Sequence, residues 1–516
     1  MNEKAVKQLT RKGCIVEKDA ARSLTEKDLE VIERLDTPPM YLSEKMLDSL
    51  RTDIERTKTE KSESPDESRG EEKLQEEQKQ QKEADKSSEQ TVNTGDKFSS
   101  SKTVTIKDDR RRKGLSTKVE VLDKADIRKD EKDVPEFLQN YNNRYDKLKK
   151  MLMRRRELQS AISIKNLERR DEGEQAAFIG IVNDKYSTKS GKYIVELEDK
   201  TGLFRALVDE REGDRIVPDE IIGIRGSLGD GIVFANTVVR PDMPIPDGVN
   251  TTNQEVKAAY ISDLHLGSID TLYERFNRFA EWLNSSQAEK VGYLVIPGDI
   301  VEGVGTYPGQ EEELKVTDIY KQYEIFEDWV DRVPEDIEII VGPGNHDVVR
   351  LAEPQPRLPD KALGRIKDYN NVHLVQNPQY VRLHGIESQG ILNLMYHGYS
   401  FDDHVDRIQD LREKAYDEPN HVMIDLLKRR HLAPTFGSNL MSPDGDDKLV
   451  IDREPDVFTA GHFHSHAVDN YKGVTPIAAS SFQAQTDFQR RVGHTPDPGK
   501  VTVLNYKTRD TRVIQF

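Results

Sequence analysis

Five apolar runs in the second half of the chain each end in side chains able to hold a metal ion, and this repeated ending constrains the fold more than any other feature. Val256 to Ile261 leads into Ser262-Asp263-Leu264-His265-Leu266-Gly267, and Tyr293 to Ile296 into Pro297-Gly298-Asp299. Ile337 to Val341 leads into Gly342-Pro343-Gly344-Asn345-His346-Asp347. Ile391 to Tyr396 ends at His397-Gly398, and Asp456 to Ala460 at Gly461-His462-Phe463-His464. Short apolar runs of this kind read as buried strands, and in open α/β sheets ligands bind beyond the carboxyl ends of the strands. The endings are therefore expected to meet. Two helical stripes between the runs, Phe276, Phe279, Trp282, Leu283 and Tyr320, Tyr323, Phe326, Val330, read as core rather than ligand surface. Glycine beside the clusters lets the backbone turn sharply and stay close to an ion.

All 12 histidines fall between His265 and His494, so the first half of the chain must do something else. With 516 residues the chain is long enough for about three folded units. Only 35% of residues are hydrophobic and 33% are charged, so order and disorder are expected side by side. A net charge of -17 argues against a surface that is basic throughout, and leaves room only for a local basic groove. The one cysteine, Cys14, excludes an internal disulfide and a thiolate metal site. No stretch is apolar enough to span a membrane and the N-terminus lacks a signal-peptide core, so a soluble, cytoplasmic protein with no membrane partner is expected.

Residues 1–50 read as a small helical module, with Thr25-Glu26-Lys27-Asp28 capping a helix that carries Leu29, Ile32 and Leu35. Residues 51–133 read as a disordered charged linker, because positions 51 to 100 offer only Ile54, Leu74, Ala84, Val92 and Phe98 to a core. Residues 134–172 form a helical connector with Phe137, Tyr141, Tyr145, Leu148 and Leu152 on one face. Its basic run, Arg154-Arg155-Arg156, reads as a solvated face because no aromatic residue is interleaved with it. Residues 173–246 change to short β-branched and aromatic runs, Phe178–Val182, Tyr193–Leu197, Leu203–Val208, Ile221–Arg225 and Ile232–Phe234, which suggest a five-stranded, OB-like barrel. Residues 247–516 hold the histidine clusters.

Carboxylate, imidazole and amide oxygen together suit a borderline divalent ion such as manganese, iron or zinc. Seven side chains, Asp263, His265, Asp299, Asn345, His397, His462 and His464, exceed what one ion needs. Two ions about 3.5–4 Å apart, sharing one carboxylate, would use all of them.

In their order, Asp263-x-His265, Gly298-Asp299, Gly344-Asn345-His346-Asp347, His397 and Gly461-His462-x-His464 resemble the calcineurin-like metallophosphoesterase superfamily. The resemblance implies a two-sheet α/β/β/α sandwich. It also implies one ion on Asp263, His265, Asp299 and His464 and another on Asp299, Asn345, His397 and His462, with Asp299 bridging. His346 would then stand over the scissile phosphate as general acid or charge stabiliser, with Asp347 orienting its ring. Together with the preceding barrel and linker, the segments Tyr396-His397-Gly398-Tyr399-Ser400-Phe401-Asp402-Asp403 and Ser481 to Gln489 resemble the small subunits of archaeal family-D DNA polymerases. That resemblance implies a large catalytic subunit as partner, single-stranded or primer-end DNA as substrate, and manganese-dependent 3′-to-5′ exonuclease activity. The alternatives are a phosphomonoesterase and a non-catalytic assembly subunit.

The remaining histidines match no motif: His466 and His404 are expected to be polar surface residues, and His373, His384, His421, His431 and His494 to have no role in the site. Gly342-Pro343-Gly344 is not followed by Lys-Ser/Thr, which excludes a nucleoside-triphosphate loop there.

Overall fold

The computed structural model describes residues 115–122 and 134–516 except 308, 387 and 444, with a few N-terminal positions besides (15, 16, 24, 25, 28, 41 and 42). The chain divides into two compact units, residues 1–106 and 107–516. In the first, β1 (Ile15–Val16) pairs in parallel with β2 (Tyr41–Leu42), a pairing that an all-helical module does not contain. Thr25 and Asp28 form the expected cap: the Thr25 backbone N–H donates to Asp28 Oδ2 at 2.8 Å and the Asp28 N–H donates back to Thr25 Oγ1 at 3.3 Å. Leu29, Ile32 and Leu35 lie outside the described residues.

Among the described residues, the first element of the second unit is β3 (Val119–Val121), inside the segment that the sequence marks as linker. This corrects that boundary. Val119 and Val121 pack into the core beside Leu115, so three apolar residues at a spacing of two or four suffice once a partner strand exists. The rest of the expected linker lies outside the described residues.

Helix α1 (Val134–Leu152) buries Tyr145, Leu148 and Leu152 against the outer face of the barrel. The barrel is closed from β4 (Gln175–Ser187), β5 (Tyr193–Asp199), β6 (Gly202–Val208), β7 (Ile221–Gly229) and β8 (Ile232–Val239), in the order β4-β5-β6-β8-β7. Alternation divides its residues: Phe178, Val195, Leu197, Ala206, Ile222, Ile224 and Val233 fill the interior, while Ala177, Ile179 and Ile221 face α1.

Two six-stranded sheets make up the rest. One contains, in parallel, β9 (Lys257–Tyr260), β10 (Val291–Ile296), β11 (Glu338–Val341) and β12 (Val372–Leu374). The other contains β13 (Gln379–Leu383), β14 (Ile391–Met395), β15 (Val457–Ala460), β16 (Ala467–Val468) and β17 (Thr475–Ala478), with β3 at one edge. Strands β18 (Lys500–Asn505) and β19 (Thr511–Gln515) return antiparallel to extend the first sheet beyond β9.

Side-chain alternation explains the layering. Ala258, Tyr260, Tyr293, Val295 and Ile340 of the first sheet meet Val381, Ile391, Met395, Val457 and Ile477 of the second. The intervening residues Ala259, Leu294, Ile296, Ile339 and Val341 face outward onto α2 (Tyr273–Leu283) and α3 (Ile319–Val330), where Phe276 stacks on Trp329 at 4.1 Å. On the opposite outer face, Leu394, Phe458, Ala460 and Ala478 are covered by α4 (Phe401–Arg407) and α5 (Asn420–Arg429). Tyr320 is corrected from core to surface: it is 52% exposed, and Ile319 takes its place against the core. No helix among the described residues is long and apolar enough to cross a membrane.

Candidate metal centre

The two sheets bring the carboxyl ends of their parallel strands to one place. Asp263 follows β9, Asp299 follows β10, Asn345 follows β11, His397 follows β14, and His462 and His464 follow β15. Backbone contacts tie these loops together: the His462 N–H lies 3.0 Å from both carboxylate oxygens of Asp263, the His346 N–H donates to Asp299 Oδ1 at 2.7 Å, and the Gly461 N–H donates to the His397 carbonyl at 2.8 Å.

Five of the seven candidate ligands sit at positive φ, namely Asp263 at 51°, His265 at 45°, Asp299 at 50°, His462 at 73° and His464 at 56°. Each such residue costs about 1–2 kcal/mol of backbone energy, so the concentration of strain here marks a site held in place by its surroundings. Glycines permit the close approach. A Cβ on Gly344 would collide with Asp299, 2.5 Å from its backbone N, and one on Gly461 would fall against the side chains of Asp263 and Ser262.

Nε2 of His265 and Nε2 of His464 are 3.0 Å apart, and both approach Asp263 Oδ1, at 4.0 and 3.6 Å. On the other side of the site, Nε2 of His397 lies 3.1 Å from Asp299 Oδ2 and 2.9 Å from Asn345 Oδ1. The same Asp299 oxygen lies 3.8 Å from His265 Nε2, so it stands between the two imidazole sets. Asp263, His265 and His464 form one group of ligand atoms close enough to share an ion, and Asp299, His397 and His462 form another. All but Asn345 and His462 are buried.

Buried charges of this density need compensation. Burial raises the carboxyl of Asp263, opposed by His397 and reinforced by the charge of Asp299. Burial also works against ionisation of Asp299, but His397, His346 and His265 outweigh it and hold that carboxyl well below the usual range. Burial lowers His265 and His397, yet Glu302 and Asp299 respectively carry them up to about 9. Burial and the charge of His265 push His464 well down. Nδ1 of His397 is buried with no hydrogen-bond partner. These donors fit divalent ions, which take deprotonated ligands and replace the protons such a cluster otherwise needs.

Two outer carboxylates orient ligand rings, a common arrangement at metal sites. Glu302 Oε2 accepts from His265 Nδ1 at 2.8 Å, and Asp402 Oδ2 lies 2.8 Å from His462 Nε2. Glu302 matches none of the sequence motifs. Its one signal there is a carboxylate three residues after Asp299 within an otherwise apolar loop.

His346 is at the site, its ring 4.7 Å from that of His265, but Asp347 does not orient it. The His346 Nδ1–H donates to the backbone carbonyl of Glu302 at 2.8 Å. Asp347 is turned the other way, accepting from the Gly344 N–H at 2.8 Å, the Ile300 N–H at 3.3 Å and the Tyr323 hydroxyl at 2.8 Å. Burial and the charge of Asp299 raise its carboxyl to about 6. The chain bends through residues 345–349, and the two adjacent side chains find separate partners there.

Of the other histidines, His466 bonds Thr502 Oγ1 at 2.7 Å and takes no part in the ligand groups. His404 is corrected from surface to interior: it is buried, with Nε2 at 2.8 Å from Asp425 Oδ2.

The profile of the family of DNA polymerase alpha/epsilon B subunits matches residues 258–468. The DNA polymerase II small subunit of Halobacterium salinarum is 39% identical over 389 residues, 74% of this chain and 75% of that one. The protein of the same description from Archaeoglobus fulgidus is 38% identical over 384 residues, 72% and 75% of the two chains. That from Methanothermobacter thermautotrophicus is 36% identical over 388 residues, 72% and 78%.

Proposed function

The chain belongs to the family of DNA polymerase II small subunits, and from that premise we propose that it is the nuclease subunit of its polymerase, removing nucleotides from DNA 3′ ends by metal-assisted phosphodiester hydrolysis. The observation that carries this reading is the placement of the Asp299 carboxylate between His265 and His397, beside two groups of ligand atoms drawn from four strand ends, with Asn345 from a fifth 2.9 Å from His397. In this reading Asp263, His265, Asp299 and His464 would hold one ion, and Asp299, Asn345, His397 and His462 the other. Two divalent ions, manganese in this proposal, would supply Lewis acidity toward phosphate and acidify water.

The chain's own residues do the rest. His346, fixed through Nδ1 by the Glu302 carbonyl, keeps Nε2 for a phosphate oxygen or the leaving group. Asp347 holds the loop that carries Asn345 and His346 through its bonds to Gly344, Ile300 and Tyr323. Asp299 accepts the His346 backbone N–H, which couples the position of that ring to a carboxylate that would hold both ions.

The two-sheet body, residues 247–516 with β3 added, is read as a calcineurin-like phosphoesterase, and the closed barrel as an OB-like module near single-stranded or primer-end DNA. The partner is the large catalytic subunit of the polymerase. The deciding assay supplies manganese to the chain, alone and with its large subunit, and compares end-labelled single-stranded DNA with p-nitrophenyl phosphate. Strand shortening is expected, and His346→Ala should reduce it by orders of magnitude with bound metal unchanged. Monoester release alone would make the chain a phosphomonoesterase, and neither activity would make it an assembly subunit.

A further inference from the structure

We infer that Gln489 restrains metal loading at this site, because its single amide oxygen serves a helix cap and its N–H group is thereby turned toward His464. The inference rests on the metal-site reading above.

Gln489 lies in α6 (Asp487–Val492), a helix with no buried residue. A reciprocal cap closes its N-terminus: the Gln489 backbone N–H donates to Thr486 Oγ1 at 3.2 Å, and Gln489 Oε1 accepts the Thr486 backbone N–H at 3.1 Å. With the oxygen engaged there, the amide nitrogen stands 3.0 Å from Nδ1 of His464. An amide NH₂ only donates, so Nδ1 must accept and the neutral ring carries its hydrogen on Nε2. On the other side of that ring, Nε2 of His265 stands 3.0 Å from Nε2 of His464, where the two rings converge on the candidate metal position.

Metal binding through Nε2 of His464 reverses this arrangement. For its Nε2 to hold an ion, its hydrogen must move to Nδ1, where it would face the N–H of Gln489. Rotating the amide by half a turn removes that conflict but aims its NH₂ at the Thr486 N–H and undoes the cap. Metal at His464 and the cap of α6 compete for one oxygen atom.

Glutamate at this position would supply two acceptors, one for Thr486 and one for His464. The test titrates manganese into the full chain by calorimetry, with hydrogen exchange on α6 before and after loading. Gln489→Glu should bind manganese about tenfold or more tightly than the unaltered protein. Loading should speed exchange in α6 of the unaltered protein and leave that of Gln489→Glu unchanged. Gln485→Glu adds the same charge where the side chain instead donates to the His494 carbonyl, and should stay within about twofold of the unaltered protein. Equal affinities for Gln489→Glu and the unaltered protein, equal tightening by Gln485→Glu, or exchange in α6 indifferent to manganese would each overturn the inference while leaving the metal site standing. Failure of the unaltered protein to take up manganese would overturn both.

Discussion

Nδ1 of His265 donates to Oε2 of Glu302 across 2.8 Å in a fully buried contact. Gln483 Nε2 lies 2.8 Å from the same oxygen, so the carboxylate is pinned from two sides. A carboxylate here makes His265 a stronger ligand and fixes its ring. Glu302→Gln keeps the shape and removes the charge. Its manganese affinity should fall by about tenfold or more, read by calorimetry. An unchanged affinity would show that the carboxylate does not tune His265.

The glycines that let the loops close on the carboxylates should be intolerant of a single methyl group. Gly344→Ala places a Cβ 2.5 Å from the Asp299 backbone N, and Gly461→Ala places one against Asp263 and Ser262. Each should cost about 1–3 kcal/mol of stability by urea unfolding. Metal binding should suffer more than a shift of that size would explain. Retained affinity in either variant would mean that the ligands adjust freely.

Arg144 is 1% exposed, and its Nε lies 2.6 Å from Asp447 Oδ2. A second nitrogen donates to the Pro434 carbonyl at 2.9 Å, so this guanidinium fastens α1 to the sheet body. Arg144→Met leaves the Asp447 charge buried without its guanidinium, held by His431 and the Leu449 backbone N–H, and should destabilise the protein by about 3–5 kcal/mol. A loss under about 1 kcal/mol in urea unfolding would sink this account of the contact.

Asp425 gives a pH dependence with a definite sign. Burial raises its carboxyl, but the hydrogen bond and charge of His404, with Arg240 and Arg215, hold it down at about 2. A carboxyl depressed in the folded state stabilises above the ordinary carboxylate pKa of about 4, and that stabilisation fades as pH falls toward 2. The contribution is about 2 kcal/mol. Unfolding free energies of the unaltered protein and Asp425→Asn should therefore converge by about that amount between pH 5 and pH 2. Parallel pH curves would contradict it.

What the sequence disclosed depended on whether one residue's neighbours in sequence were also its neighbours in space. The runs ending at Asp263, Asp299, Asn345, His397 and His462 were legible because a buried strand is apolar throughout and its polar ending is abrupt. The five barrel runs were legible from their β-branched residues and the turns between them. Strand β3 was not, because Val119 and Val121 flank Glu120 within a charged stretch and gain their meaning only from β13. The orientation of His346 was hidden for the same reason, since its partner is a backbone carbonyl, which every residue possesses. His404 looked like a surface residue beside Asp402 and Asp403, and only the fold brings Asp425 to it.

Strand β3 has a further consequence for how this protein can be dissected. It precedes α1 and the barrel in the chain, yet pairs antiparallel with β13 on the far side of both. The barrel is therefore threaded into the sheet body as an insertion. A fragment cut to begin at the barrel, or just after it, would lose a rung of the second sheet and leave the flank of Val381 and Leu383 bare, ready to recruit a strand from another molecule.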